Sequence, residues 1–166
     1  MTKQIYFAGG CFWGTEAYFA KLKGVVKTLC GYANGYTVKP TYEEVCRTDT
    51  GYVETVLVEY DPSVVPIEKL LTEFFKTINP TTKNRQGNDI GTQYRSGIYY
   101  SDETDAPIIQ SYVMKKQEEY TKPIVTETLP LQNFYPAEEY HQHYLDKNPS
   151  GYCHVDLNMI REEDRK

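Results

Sequence analysis

Cys11 is set in the stretch GGCFWG, between paired glycines and paired aromatics, where a strand-like run turns into a helix-like one. A cysteine attacks as its thiolate, and a free thiol with a pKa of ~8.5 is mostly protonated at neutral pH. Unpaired N–H groups at a helix N-terminus favour negative charge, so this position is expected to lower the pKa of Cys11. The glycines before it let the backbone approach a ligand closely. The same surroundings suit an inert buried cysteine in a tight turn, and the motif alone leaves both readings open.

Other reactive side chains lie far from Cys11 in sequence. Glu54 opens the alternating stretch YVETVLVEYD, on the same strand face as Val56, Val58 and Tyr60. If that face is buried, loss of water raises the carboxyl pKa and makes Glu54 a proton donor at neutral pH; an exposed strand-end glutamate is the alternative. Asp89 lies in the polar run RQGNDIGTQY, and Tyr42 and Tyr94 border the two long loops. Such loops often carry sites, although an Asn-Asp turn and two tyrosines capping a core edge fit equally well. Phe12 and Trp13 are consecutive at a helix start, so both cannot face the core; one lining a cavity beside the thiol and both packed under the following loops fit the spacing equally well. Cys153 sits in the Gly-containing segment PSGYCHVD, from which a mobile thiol can meet an oxidised partner. Cys30 and Cys46 have strand-like or apolar neighbours and read as structural. His141 and His143, two apart, would face different sides of a helix and make a weak metal pair.

The elements that must position these residues follow from periodicity. Ile5 to Ala8 reads as a short strand and Phe12 to Leu22 as a helix stopped by Gly24. Val25 to Ala33 is a second strand, followed by a long irregular connection over residues 34–51. The strand around Glu54 comes next. Pro66 then opens a helix in which Ile67, Leu70, Leu71, Phe74, Phe75 and Ile78 share a face, ended by Asn79-Pro80. After a second polar loop come a strand in YRSGIYYS, a capped helix from Glu103 to Tyr120, an edge strand in IVTETL, a short helix in PAEEYHQHYLDKN and a loop-like charged tail. The order strand, helix, strand, strand, helix, strand predicts an α+β fold: a ferredoxin-like two-layer α/β sandwich with a βαββαβ core, an additional C-terminal helix and a long irregular tail.

Length and composition bound the class. The 166 residues make a single domain, 1–166, with 40% hydrophobic and 25% charged residues and a net charge of -5. No basic footprint for nucleic acid appears, no apolar run reaches a membrane span, and no signal-peptide core precedes the first strand. A cytoplasmic monomer is expected, with its four scattered cysteines reduced at rest. The absence of a C-x-x-C pair argues against a zinc ribbon. Tyrosine is over-used, 16 against 6 phenylalanines, which fits either core edges or a pocket needing phenolic donors.

The motifs GGCFWGTE, GYANGYTVKPTYEEVC, DTGYVETVLVEYDPSV, RQGNDIGTQYRSGIYY and PAEEYHQHYLDKNPSGYC, in this order over residues 4 to 153, resemble the A-type peptide methionine sulfoxide reductases. The resemblance implies reduction of the S epimer of methionine sulfoxide, free or in peptides and proteins. It implies Cys11 as nucleophile on the sulfoxide sulfur and Phe12 and Trp13 as the aromatic cage for the methyl group. Glu54 would be the acid for the sulfoxide oxygen, Tyr42 and Tyr94 hydroxyls bound to that oxygen, and Asp89 an assisting carboxylate. Cys153 would resolve the sulfenic acid as a Cys11–Cys153 disulfide, and thioredoxin would restore the enzyme without metal or organic cofactor. Some members carry a further cysteine beyond the resolving one; none follows Cys153 here, so direct attack by thioredoxin is expected. A thiol peroxidase and a peptide-binding module remain the competing classes. The first has no use for a methyl cage, and the second has no need of an acid at position 54.

Overall fold

The computed structural model describes residues 1–47 and 50–166. Residues 48 and 49, part of the expected irregular connection, lie outside the described residues. The chain forms a mixed α/β structure in which a central, mostly antiparallel sheet carries five helices.

The elements run β1 (Lys3–Ala8), α1 (Phe12–Ala20), β2 (Val25–Ala33), α2 (Tyr42–Arg47), β3 (Val53–Tyr60) and α3 (Ile67–Lys76). A small hairpin follows, β4 (Arg85–Gln86) and β5 (Asp89–Ile90), then β6 (Gly97–Tyr100), α4 (Ala106–Gln117), β7 (Glu127–Pro130), β8 (Phe134–Pro136) and α5 (Tyr144–Lys147). The six-stranded sheet has the order β7-β6-β1-β3-β2-β8, and only the β6–β7 pair is parallel.

Strand alternation decides the layers. Ile5 and Phe7 of β1 and Val56, Val58 and Tyr60 of β3 point to the helical side, where they pack with Tyr18, Phe19, Leu70, Leu71 and Phe74. The face shared by Glu54, Val56, Val58 and Tyr60 is therefore the buried one. Tyr6, Ala8, Val53 and Leu57 point the other way, under Tyr99 and Phe134. Phe7 clamps the layers together, its ring stacked 4.8 Å from that of Phe19 in α1 and 4.7 Å from that of Phe74 in α3. No helix of the described residues is long and apolar enough to cross a membrane.

Several expected boundaries are corrected. α1 ends at Ala20 rather than Leu22, because the chain must turn there to bury Leu22 and bridge it to Arg165. The connection after β2 contains a helix, α2, and the polar loop before β6 contains the β4–β5 hairpin. The strand expected in IVTETL is shifted to Glu127–Pro130, where it pairs with β6. The helix expected in PAEEYHQHYLDKN is broken into a 3-10 turn, Glu139–His141, and α5. The break has a cause. The Gln142 side chain bonds both to the N–H of Cys30 at 2.8 Å and to its carbonyl at 2.9 Å, acting as a strand edge for β2. His143, with φ of +51°, donates its N–H to the Glu16 carboxylate at 2.7 Å. Tertiary bonds here override helix propensity.

Candidate active site

β1 ends at Ala8, and the Gly9–Gly10 turn delivers Cys11 to the N-cap of α1. Gly10 has φ of +85°, and a Cβ there would lie 2.7 Å from the Cβ of Gln86. Only glycine accepts both the dihedral and the contact. α1 is buried nearly all round, including Glu16 and Thr15, because the sheet covers one side and α5 and the C-terminal segment cover the other.

Cys11 is 8% exposed. The expected lowering of its pKa is not met in this state. Burial first, and then the neighbouring Glu54 carboxylate, push the thiol up, while the Trp13 backbone N–H pulls it down. Removing solvent from a thiolate costs more here than the helix terminus returns.

Glu54, at the start of β3, reaches the first turn of α1, where its Oε1 accepts the Phe12 N–H at 3.2 Å. It is 1% exposed. Burial raises its carboxyl pKa, the Phe12 N–H opposes this, and the charge of Asp89 adds to it, leaving a value of about 8. Its Oε2 is buried without a hydrogen-bond partner among the described residues. At neutral pH Glu54 is thus a protonated carboxyl beside a thiol, with a proton and no acceptor among the protein groups.

Tyr42 begins α2 and Tyr94 closes the 3-10 turn Thr92–Tyr94. Burial and then Glu54 push both phenols up, so both stay protonated donors. Tyr42 is held from behind, because its N–H donates to Glu138 Oε2 at 3.0 Å. Asp89 lies in the β4–β5 hairpin rather than an open loop. Its Oδ2 is buried without a partner, its charge bears on Cys11, Glu54 and Tyr94, and the Tyr152 hydroxyl bonds to it.

Phe12 is fully buried, its ring centroid 5.8 Å from Tyr32 and 5.2 Å from His141. Trp13 is half-buried. Its indole stacks on Tyr144 with centroids 3.7 Å apart and 7° between planes, and its Nε1–H donates to His141 Nδ1 at 3.0 Å. His141 also packs against Tyr42, 4.4 Å between centroids. Burial lowers the His141 pKa. With Nδ1 accepting, the neutral ring carries its proton on Nε2, which is buried without a partner. His141 is an aromatic brace rather than half of a metal pair, and His143 turns away toward Glu16 and Asp146.

Cys153 is not on a loose tail. It lies against α1, where a Cβ on Gly14 would come within 3.1 Å of its Sγ, and its thiol donates to the Val155 carbonyl at 3.1 Å. All four cysteines are thiols, and none is joined in a disulfide. Cys30 is fully buried and donates to Glu16 Oε1 at 3.3 Å.

The structure thus gathers Cys11, Glu54, Tyr42, Asp89, Tyr94, Phe12 and Trp13 around the first turn of α1, with Cys153 on the same turn. Sequence reasoning missed Tyr144 and Tyr152, and read His141 only as a weak metal partner. The available signal was their aromatic clustering in EYHQHY and SGYC, next to a cysteine already singled out.

The arrangement is a buried thiol beside a neutral carboxyl, walled by aromatics, with a second thiol within one helical turn. The sequence model of the family described as peptide methionine sulfoxide reductase matches residues 3–166. The peptide methionine sulfoxide reductase MsrA of Clostridium acetobutylicum is 58% identical over 160 residues, covering 96% of this chain and 99% of that protein. The MsrA of Mycoplasma pneumoniae is 56% identical over 153 residues, covering 92% and 98%. The crystal structure of Saccharomyces cerevisiae Mxr1 in reduced form superposes with a TM-score of 0.89 at 41% identity, covering 94% of this chain and 92% of that one. The chain belongs to the peptide methionine sulfoxide reductase family, A type.

Proposed function

We propose that this protein reduces the S epimer of methionine sulfoxide, free or in peptides and proteins, with thioredoxin as final reductant. The observation that carries the reading is the joining of Cys11 to Glu54 through the Phe12 N–H, which leaves the protonated Oε2 without a partner.

The substrate methyl group meets the aromatic wall of Phe12 and Trp13, and the sulfoxide oxygen takes hydrogen bonds from Tyr42, Tyr94 and Glu54, with Asp89 assisting. A sulfoxide oxygen is released poorly unless protonated, so a neutral carboxyl beside it lowers the barrier. Glu54 lends its proton to the oxygen as the Cys11 sulfur attacks the substrate sulfur, and the proton shed by Cys11 restores it. The substrate S–O bond breaks as the protonated oxygen leaves and adds to the Cys11 sulfur, and the transient bond between the two sulfurs breaks with its electron pair left on the substrate as a thioether, so that Cys11 ends as a sulfenic acid. Cys153 then attacks that sulfenic acid, releasing water and closing a Cys11–Cys153 disulfide. A thioredoxin dithiol reopens it by exchange. The solved complex of Mxr1 with Trx2, 28% identical with a TM-score of 0.62, supports this last step.

The strand order β6-β1-β3-β2, with a helix after β1 and another after β3, supports a ferredoxin-like βαββαβ core in one domain over 1–166. A monomer in the cytoplasm completes the reading. The test is incubation with both epimers of a blocked methionine sulfoxide and dithiothreitol. The S epimer is consumed by the protein and not by Cys11→Ser; equal consumption by Cys11→Ser, or none by the protein, ends the proposal.

A further inference from the structure

His154 has no part in the scheme above, yet its setting is specific. Its Nε2 lies 2.7 Å from the carbonyl of Gly9, in the turn that delivers Cys11. A carbonyl only accepts, so the ring proton sits on Nε2 and Nδ1 carries a lone pair. That Nδ1 is buried and has no hydrogen-bond partner among the described residues, an unusual condition for a buried acceptor. It lies against Gly14, as does the neighbouring thiol: a Cβ on Gly14 would lie 3.5 Å from His154 Nδ1 and 3.1 Å from Cys153 Sγ. Gly14 is three residues after Cys11, so both groups lie one helical turn from the nucleophile.

We propose that His154 is the general base of the resolving step, taking the Cys153 proton on Nδ1. The inference rests on the Cys11–Cys153 reading and deepens it. Burial pushes the Cys153 thiol up, a backbone contact with Val155 opposing this and Asp156 adding to it, so the thiol is protonated when the sulfenic acid forms and turns from the Val155 carbonyl to give its proton to Nδ1. Its proton must go somewhere as the S–S bond closes. His154 passes it to the leaving hydroxide, so that the Cys11 S–O bond breaks, the Cys11–Cys153 bond forms and one water departs. Cys11 sulfur is reduced and Cys153 sulfur oxidised by the same electron pair. Burial holds the His154 pKa below its ordinary value, the Gly9 contact and Asp89 opposing it, so the base form is ready at neutral pH. The titratable groups facing it are Cys153 beside it, Cys11 on the β1–α1 turn and Asp89 on the β4–β5 hairpin, the last occupied by the Tyr152 hydroxyl.

His154→Gln separates two roles, since the Gln Nε2 can still donate to Gly9 while the base is gone. In single turnover, methionine released reports the first step, and thiols lost on acid quench and alkylation report the second. The wild-type chain is expected to release methionine in a burst and lose two thiols per methionine at a rate level across neutral pH. His154→Gln is expected to keep the burst and the loss of one thiol that accompanies it, but to lose the second thiol ~100-fold or more slowly, with a rate that climbs about tenfold per pH unit. Imidazole is expected to restore His154→Ala. A normal second step in His154→Gln overturns the proposal, as does a slower one with unchanged pH dependence, which would mark a docking contact. Loss of the burst in His154→Gln overturns it too, by making the residue structural for the whole site. Absence of a burst in the wild-type chain would instead defeat the reading of Cys11 and Glu54.

Discussion

Replacing Glu54 by Gln separates what this residue does for stability from what it does for chemistry. Gln keeps an oxygen to accept the Phe12 N–H and a donor in place of the carboxyl O–H, so shape and hydrogen bonding survive. The folded carboxyl titrates at about 8 because it is buried, against an ordinary value of 4.5. The folded state therefore holds a proton that the unfolded chain has lost at every pH between these values. Stability falls as pH rises across that window, by ~1.4 kcal/mol per pH unit for this one group. Carried from pH 4.5 to pH 7, the cost of keeping Glu rather than Gln reaches roughly 3 kcal/mol. For a chain of this size that corresponds to a gain of about 6–12 °C in Tm for the variant at pH 7. The gain should shrink toward zero at pH 4.5 and grow toward pH 8. The chemistry moves in the opposite direction. At pH 7 Glu54 is about nine-tenths protonated, and losing this proton donor should slow sulfenic acid formation ~10²–10⁴-fold. Thermal unfolding of both proteins from pH 5 to 8, beside quenched-flow methionine release, measures both effects. A Gln variant with wild-type release rates removes Glu54 from the reaction. Parallel stability profiles show that its carboxyl is not held protonated.

Cys153→Ser should release one methionine per protein and then stall under thioredoxin; multiple turnover at the wild-type rate would exclude Cys153 as the resolving thiol. Trp13→Phe loses the 3.0 Å bond to His141 Nδ1 while keeping an aromatic face, and should weaken apparent substrate affinity by ~1 kcal/mol, about fivefold. An unchanged KM would place Trp13 outside the binding wall. Alkylation of Cys11 by iodoacetamide, followed by peptide mass, should be slower at pH 7 than that of a free thiol and rise with pH beyond 9. Glu54→Gln should speed it at pH 9 by removing a neighbouring charge; a wild-type rate already level at pH 7 would contradict the burial argument.

How much was legible in the sequence depended on how local the signal was. β3 and α3 were readable because their apolar residues alternate or repeat against one flat neighbour, and this alternation put Glu54 on the buried face. α1 was readable only through its glycines and aromatics. It is buried on nearly every side, so it has no polar stripe to mark an outer face. The segment from 138 to 154 was the least legible. Its shape is set by contacts from more than a hundred residues away: Gln142 on the Cys30 backbone, Glu16 on the His143 N–H, Trp13 on His141 and Gly9 on His154. No helical or strand period records such contacts, so a helix was expected where two short turns stand. The bracing places of His141 and Tyr144 are therefore not written in any local period.

The same distribution accounts for a nucleophile whose resting pKa is high. A thiol lowered by an exposed helix terminus would react with any electrophile that reached it. Cys11 instead sits where solvent is excluded, and Glu54 opposes the thiolate only when ionised. Since Glu54 is held protonated near neutral pH, that opposition is absent in the state that has a proton to give. In the proposed reaction both groups rest neutral, and the thiol gives up its proton only when an acceptor for the Oε2 proton arrives. There a sulfoxide oxygen would bring that acceptor together with the electrophilic sulfur, so that one ligand would trigger both proton donation and attack. Burial, which makes Cys11 a poor general nucleophile, is what makes Glu54 a usable acid. One physical cause therefore acts on both partners, and moving either residue into solvent would improve its ordinary ionisation while separating the two halves of the reaction.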